Sequence, residues 1–256
     1  MPFIEANEVR LFYKDSGDGT PLVMLHGLRA SHTAFNWEED YFKQQYRVIT
    51  MDARGHGQSD RPRGFTLNDH VEDVIAVLDH LKIRKAHILG VSMGSYIAQG
   101  VALEYPERVD KLILVATKSN GKTSSTQELM HVHADEIEGM DEPGKMDFLA
   151  KYIYYDTEAV ARRMEEAPQP EMTELELAAA HKALAGFDFR SALPMVQAET
   201  LIISGKYDGL NPPDRGKELA NLMLNGHFVE FEYSGHAPQT EEPERFRQVV
   251  SKFLEQ

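Results

Sequence analysis

The stretch HILGVSMGSYIA, residues 87–98, places a hydroxyl between two glycines where an apolar run stops and a helix-like segment begins. The spacing is Gly90-x-Ser92-x-Gly94. A tight turn from a buried parallel strand into a helix forces one residue into strained backbone, at a cost of roughly 1–3 kcal/mol. Glycines at 90 and 94 carry no side chain to hold strand and helix apart. Ser92 Oγ then projects from the carboxyl edge of the sheet, in the geometry of a nucleophile elbow. The helix starting near Met93 aims free N–H groups and its positive dipole end at the same spot. The Met93 amide is therefore the first donor for a tetrahedral oxyanion, and each such donor is worth about 2.7–4 kcal/mol in the transition state. A second is expected from a loop after an earlier strand. The Leu28 amide, in His26-Gly27-Leu28 after PLVML, fits that place.

A serine hydroxyl needs a base, and the base needs an acid to orient it. The topology predicts the chain order serine, acid, histidine. Asp208 follows the run TLIISG, and His236 follows HFVEFE. Both lie on the edge where loops of an α/β sheet build sites. Asp214 is the rival acid, but it begins a helix after two prolines, where capping alone favours an acid. His26 and His56 sit in glycine loops near the expected site and read as structural hydrogen-bonding groups or substrate contacts. His131 and His133 have ligand-like spacing, but nothing completes a metal site, and none is expected.

Eight short apolar runs must position these groups: two within FIEANEVRLFYKD, then PLVML, YRVITM, KAHILGV, KLILVAT, TLIISG and HFVEFE. They alternate with helical patterns such as TLNDHVEDVIAVLDHLKI and MGSYIAQGVALEYPERV. PPDRGKELANLML and EEPERFRQVVSKFLE read as the last two helices. The alternation predicts an α/β fold: a mostly parallel eight-stranded sheet covered by helices on both faces. From about residue 119 to residue 194 there is no strand pattern, only helical stretches in PGKMDFLAKYIYY, DTEAVARRMEEA and MTELELAAAHKALAG. That is too long for a simple connection. A core over 1–118 and 195–256 with an inserted helical cap over 119–194 is expected. Phe148, Tyr152, Tyr154 and Tyr155 either line an acyl pocket or pack the cap onto the sheet. Trp37 either walls that pocket or fills core.

The 256 residues suffice for a full core. The formal net charge of −14 repels phosphate backbones and argues against nucleic acid as a partner. The absence of cysteine excludes a disulfide framework and a thiol nucleophile, and it suits a reducing, cytoplasmic compartment. The first residues do not read as a signal peptide, and no apolar run approaches the ~20 residues of a membrane span.

Together LHG, DARGHGQSD, GVSMG, the Asp after TLIISG and the His of SGHAPQTEEPERF resemble the α/β-hydrolase superfamily. Within it the chain is similar to the small, cap-bearing carboxylesterase, enol-lactonase and cofactor-free haloperoxidase group. The resemblance implies Ser92 as nucleophile, His236 as base, Asp208 as acid, and Leu28 and Met93 as oxyanion donors. Haloalkane dehalogenases and many epoxide hydrolases use an Asp nucleophile, so Ser92 argues against both. Aminopeptidases of the superfamily often carry Gly-Gly-Pro after the early His, where this chain has Gly-Leu-Arg. The expectation is a serine hydrolase of a small carboxylic ester or lactone, working without a cofactor. Perhydrolysis or haloperoxidation, carbon–carbon bond hydrolysis with the same triad, and a ligand receptor on the same scaffold are the alternatives.

Overall fold

The computed structural model of the chain describes residues 2–256. Eight strands form one sheet: β1 (Phe3–Ala6), β2 (Val9–Ser16), β3 (Thr20–Leu25), β4 (Tyr46–Met51), β5 (Ala86–Val91), β6 (Val109–Val115), β7 (Glu199–Gly205) and β8 (Gly226–Phe231). Their order is β1-β2-β4-β3-β5-β6-β7-β8. β1 and β2 pair antiparallel, β2 joins β4 antiparallel, and every other pair is parallel. The expected α/β fold with a mostly parallel eight-stranded sheet is the one observed. The central strand β5 is buried at every residue, as a parallel strand covered on both faces must be.

Alternate side chains along the strands supply two cores. Leu25, Ile49, Ile88, Leu114 and Ile202 face α2 (Leu67–His80), α3 (Met93–Glu104) and α8 (Pro213–Leu222). Met24, Val48, Leu89, Ile113 and Ile203 face α1 (Asn36–Phe42) and α10 (Pro243–Leu254). The α2 helix starts at a capping box, in which Thr66 and Asp69 each satisfy the other's backbone N–H. Among the described residues no helix is long and apolar enough to cross a membrane.

Between β6 and β7 the chain forms α4 (Ser125–Val132), α5 (Glu142–Ile153), α6 (Thr157–Glu166) and α7 (Glu174–Ala183). The sequence pattern predicts three helices here and misses α4, which has eight residues and buries only Leu129. It extends α5 too far. Tyr154 is already extended, at φ −119° and ψ 144°, so Tyr154 and Tyr155 lie beyond the helix. The pattern misses α1 as well. Two of that helix's buried residues are acids, which disguises its inward face. Glu38 pairs with Arg163, and Glu39 accepts from Lys14 at 2.8 Å and from Ser16 at 2.9 Å. The short α9 (Pro238–Glu241) is also absent from the sequence reading.

Arg163 of α6 ties the insertion to the core. Its guanidinium pairs with Glu38, donates to the carbonyls of Ala34 and Gln239 at 3.1 Å each, and lies 4.4 Å from the Trp37 ring centre.

Phe246 of α10 is fully buried in the second core. Phe246→Ala is expected to destabilise the fold by about 3–5 kcal/mol, read as a lower urea midpoint in equilibrium unfolding.

Candidate active site

Ser92 stands between β5 and α3 with φ 52° and ψ −117°, a conformation rare outside glycine. A Cβ on Gly94 would collide with the Leu25 carbonyl, and one on Gly90 with the Gly94 carbonyl. The absence of both side chains lets β5, α3 and the end of β3 close around the turn. Ser92 N–H donates to Val115 O at 2.9 Å, and Ser95 N–H donates to Ser92 O at 2.8 Å. No side chain caps the start of α3, so its first amides are left for another acceptor. A Cβ built on Gly27 would stand 3.5 Å from Ser92 Cβ, so the loop that carries Leu28 lies directly against the serine.

His26 shapes that loop. Its Nε2 accepts the Ala53 N–H at 3.0 Å, which leaves the proton on Nδ1 to donate to Gly27 O at 2.7 Å. Burial lowers the His26 pKa and keeps the ring neutral for this task. His56 is fully buried, donates through Nδ1 to Arg54 O at 3.0 Å, and is pushed down to about 3 by burial and then by His26. Both histidines make structural hydrogen bonds.

Asp208 follows β7, and His236 follows β8. The His236 Nδ1–H lies 2.9 Å from each oxygen of the Asp208 carboxylate. The carboxylate also accepts the backbone N–H groups of Leu210 and Asn211 at 2.9 Å each. Burial would lower the His236 pKa. The charge and hydrogen bond of Asp208, helped by Glu241, outweigh it and leave the pKa raised. Of the His236 side chain 12% stays exposed, so the ring is not sealed from solvent. Asp214, the rival acid, opens α8 with 95% of its side chain exposed and bonds to Lys217.

Sequence reading misses Glu241 of α9. Its carboxylate accepts from Gly235 N–H at 3.0 Å and Ala237 N–H at 3.0 Å, on either side of His236. It also accepts from the N–H groups of Tyr155 and Asp156 at 2.7 and 2.9 Å, so one carboxylate fastens the histidine loop to the insertion. The insertion reaches both loops through backbone: His236 N–H donates to Ile153 O at 2.8 Å, and Gly209 N–H donates to Tyr152 O at 2.9 Å.

The aromatic residues divide. Trp37 packs under Arg163 at the insertion's contact with α1. Phe148 and Tyr152 pack around the small core of Leu129, Ile137, Leu149 and Ile153. Tyr152 stacks on His133 at 3.7 Å and donates to Glu136 at 2.8 Å. Tyr155 is half exposed and sits 4.8 Å from the Tyr207 ring and 6.0 Å from that of Tyr233, on the outer surface. The rings of Phe148 and Tyr152 thus pack helix α5 onto its neighbours, and the ring of Tyr155 lies against Tyr207 and Tyr233. Tyr154 is the aromatic of this run whose electrostatic neighbours include Asp208, Glu241 and Arg29, and burial pushes its pKa up to about 12.

Two further residues join the site. Tyr96, one helical turn after Ser92, is buried and accepts from Asn211 Nδ2 at 2.9 Å. The i, i+4 spacing on a helix is the signal that points to Tyr96. Nothing in the sequence marks Asn211.

A model of the alpha/beta hydrolase fold family matches residues 20–243. The chain is 31% identical to the AB hydrolase superfamily protein YisY of Bacillus subtilis (strain 168), covering 98% of each chain. It is 31% identical to a 2-hydroxy-6-oxononadienedioate/2-hydroxy-6-oxononatrienedioate hydrolase of Paraburkholderia phymatum, covering 97% of this chain and 92% of that one. Among solved structures, an esterase from Exiguobacterium antarcticum superposes with a TM-score of 0.83 at 25% identity, covering 99% of both chains. An elbow between β5 and α3, an acid after β7 and a histidine after β8 thus stand on a sheet and sequence that match throughout: this chain belongs to the alpha/beta hydrolase family.

Proposed function

We propose that the chain is a serine hydrolase of small carboxylic esters or lactones, with Ser92 as nucleophile, His236 as general base and Asp208 as its orienting acid. The observation that carries the reading is the Asp208–His236 pair, 2.9 Å apart, on the same sheet edge as a serine held at positive φ against the Gly27 loop. In this reading His236 Nε2 takes the Ser92 proton as Oγ attacks the substrate carbonyl. The Met93 and Leu28 amides receive the oxyanion. The protonated imidazole gives its proton to the leaving alcohol, and water then cleaves the acyl-enzyme by the same route. Asp208 holds the proton on Nδ1 throughout, so that Nε2 presents its lone pair to the serine. Nucleophile, base and water complete the reaction, with no call for a cofactor.

We assign residues 119–194 the role of a cap that bounds the substrate pocket. The backbone bonds from Tyr152 and Ile153 to the acid and histidine loops support this role. A second reading is carbon–carbon bond hydrolysis with the same triad. The name of the Paraburkholderia phymatum relative favours it.

Ser92→Ala is expected to lower kcat for p-nitrophenyl acetate at least about 10³-fold with the circular dichroism spectrum unchanged. Undiminished turnover in that variant overturns the mechanism. The base works only when neutral, and its pKa is raised above 6.5. The acid limb of kcat/KM is therefore expected to inflect above pH 6.5, and Asp208→Asn to remove the charge that lifts it and move the inflection down. An acid limb unmoved by Asp208→Asn contradicts the assigned acid.

A further inference from the structure

We propose that Ser95 is a positioning residue for the oxyanion site: its hydroxyl grips the Ser92 carbonyl and so aims the Met93 N–H. The proposal rests on the serine-hydrolase reading above.

Ser92 O and the Met93 N–H belong to one peptide group. Among the described residues no peptide bond is cis, so the carbonyl and the N–H of this plane point in opposite directions. Whatever holds the oxygen therefore sets the direction of the N–H. Ser92, at φ 52° and ψ −117°, lies outside the helix and strand regions. No regular ladder running through the turn fixes the tilt of this peptide. The donors on its oxygen fix it instead.

Three donors reach that oxygen, all from the first turn of α3. The Ser95 N–H lies at 2.8 Å and the Tyr96 N–H at 3.4 Å. The Ser95 hydroxyl makes the shortest bond of the three, at 2.6 Å. The two backbone bonds need no particular side chain at residue 95, whereas the third needs a hydroxyl. Bonds accepted at a carbonyl also polarise the peptide and strengthen its N–H as a donor.

Ser95 is fully buried, so its one hydroxyl proton must go to a protein acceptor. Two are within reach: Ser92 O, and Thr117 Oγ1 at 2.8 Å. Thr117 Oγ1 already accepts from Gln99 Nε2 at 3.0 Å, and the same amide donates to Lys118 O at 3.1 Å. The Ser92 carbonyl is the nearer acceptor and has no proton of its own, so the Ser95 hydrogen lies between these two oxygens. Thr117 and Gln99 are fully buried as well, and no solvent competes for the hydroxyl.

Removing one oxyanion donor outright costs about 10²–10³ in kcat. Loosening the peptide that carries it costs part of that. Ser95 has no exposed surface on which to meet substrate, so the loss falls on kcat and not on KM. The bonds of the Asp208–His236 pair run to other residues, so the acid limb of the pH profile stays in place.

The test compares wild type, Ser95→Ala and Thr117→Val in turnover of p-nitrophenyl acetate and in inhibition by an aliphatic trifluoromethyl ketone. Ser92 Oγ adds to the ketone carbon, its proton passes to His236, and the hemiketal oxygen is left as an oxyanion facing the Met93 amide. Ser95→Ala is expected to lower kcat about tenfold and to raise the inhibition constant about tenfold, with KM within about twofold of wild type and the acid limb unmoved. Thr117→Val removes the other acceptor at nearly constant volume and is expected to stay within about twofold of wild type throughout. Wild-type kcat and inhibition in Ser95→Ala overturn the proposal, as does a change in KM alone. A lower kcat with unchanged inhibition also overturns it, since the defect then lies outside the oxyanion site. An equal loss in Thr117→Val overturns it too, by making Ser95 a partner of Thr117 only. Should Ser95→Ala fail to fold, Ser95→Cys, whose thiol is a weak donor, decides by the same readouts with a loss of about threefold. A wild type that neither turns over the ester nor binds the ketone overturns the hydrolase reading, and the role of Ser95 with it. A wild type that does both beside an unimpaired Ser95→Ala overturns the role of Ser95 alone.

Discussion

The structure depends on a backbone held where backbone does not willingly go. Ser92 sits at φ 52° with a full side chain, at a cost of roughly 1–3 kcal/mol. The surroundings over-determine it. Its amide is bound to Val115, its carbonyl is bound by Ser95, and the Gly90 and Gly94 positions let β3, β5 and α3 close on it. A larger residue at either glycine would meet carbonyl oxygen rather than a movable side chain. Because the strand below is buried on both faces, the turn has nowhere to relax. The side chain is left to stand out at the sheet edge, beside the Gly27 loop.

Charge is arranged with the same economy. Asp208 is buried and accepts from three N–H groups at 2.9 Å, the His236 Nδ1–H shared between both carboxylate oxygens and the two backbone amides of Leu210 and Asn211. Glu241 is matched to backbone N–H groups on both sides of His236 and in the insertion. A carboxylate satisfied by several amides costs little to bury and strongly restrains the loops that donate to it. The histidine is therefore located twice, by its side chain and by its flanking peptides. His26, kept neutral by burial, plays the corresponding part for the Gly27 loop.

Much of this was legible in the sequence, for physical reasons. Each strand is a short, continuous apolar run, and each main helix carries a period near 3.6, so the sheet and its covering layers follow from pattern. Ser92, Asp208 and His236 stand out because each closes a strand in a glycine-bearing loop. What was hidden depends on pairings across the chain. Helix α1 buries Glu38 against Arg163, which lies 125 residues away, and no local pattern reports that. The α5 aromatics are ambiguous because the helix ends inside YIYY: Tyr152 still belongs to α5 and stacks on His133, Tyr154 is part-buried beyond the helix, and its neighbour Tyr155 is half exposed. Asn211 looks like an ordinary loop residue until the fold brings Tyr96, Ala116, Ser125 and Asp208 around it.

The central claim is that the strained hydroxyl becomes covalently acylated. Rapid acid quench during p-nitrophenyl acetate turnover, followed by peptide mass spectrometry, tests it directly. The account predicts an acetyl group on the peptide that holds Ser92, localised to that oxygen and lost as the substrate is exhausted. Steady turnover with no adduct on Ser92, or with the acetyl group on another side chain, would contradict it.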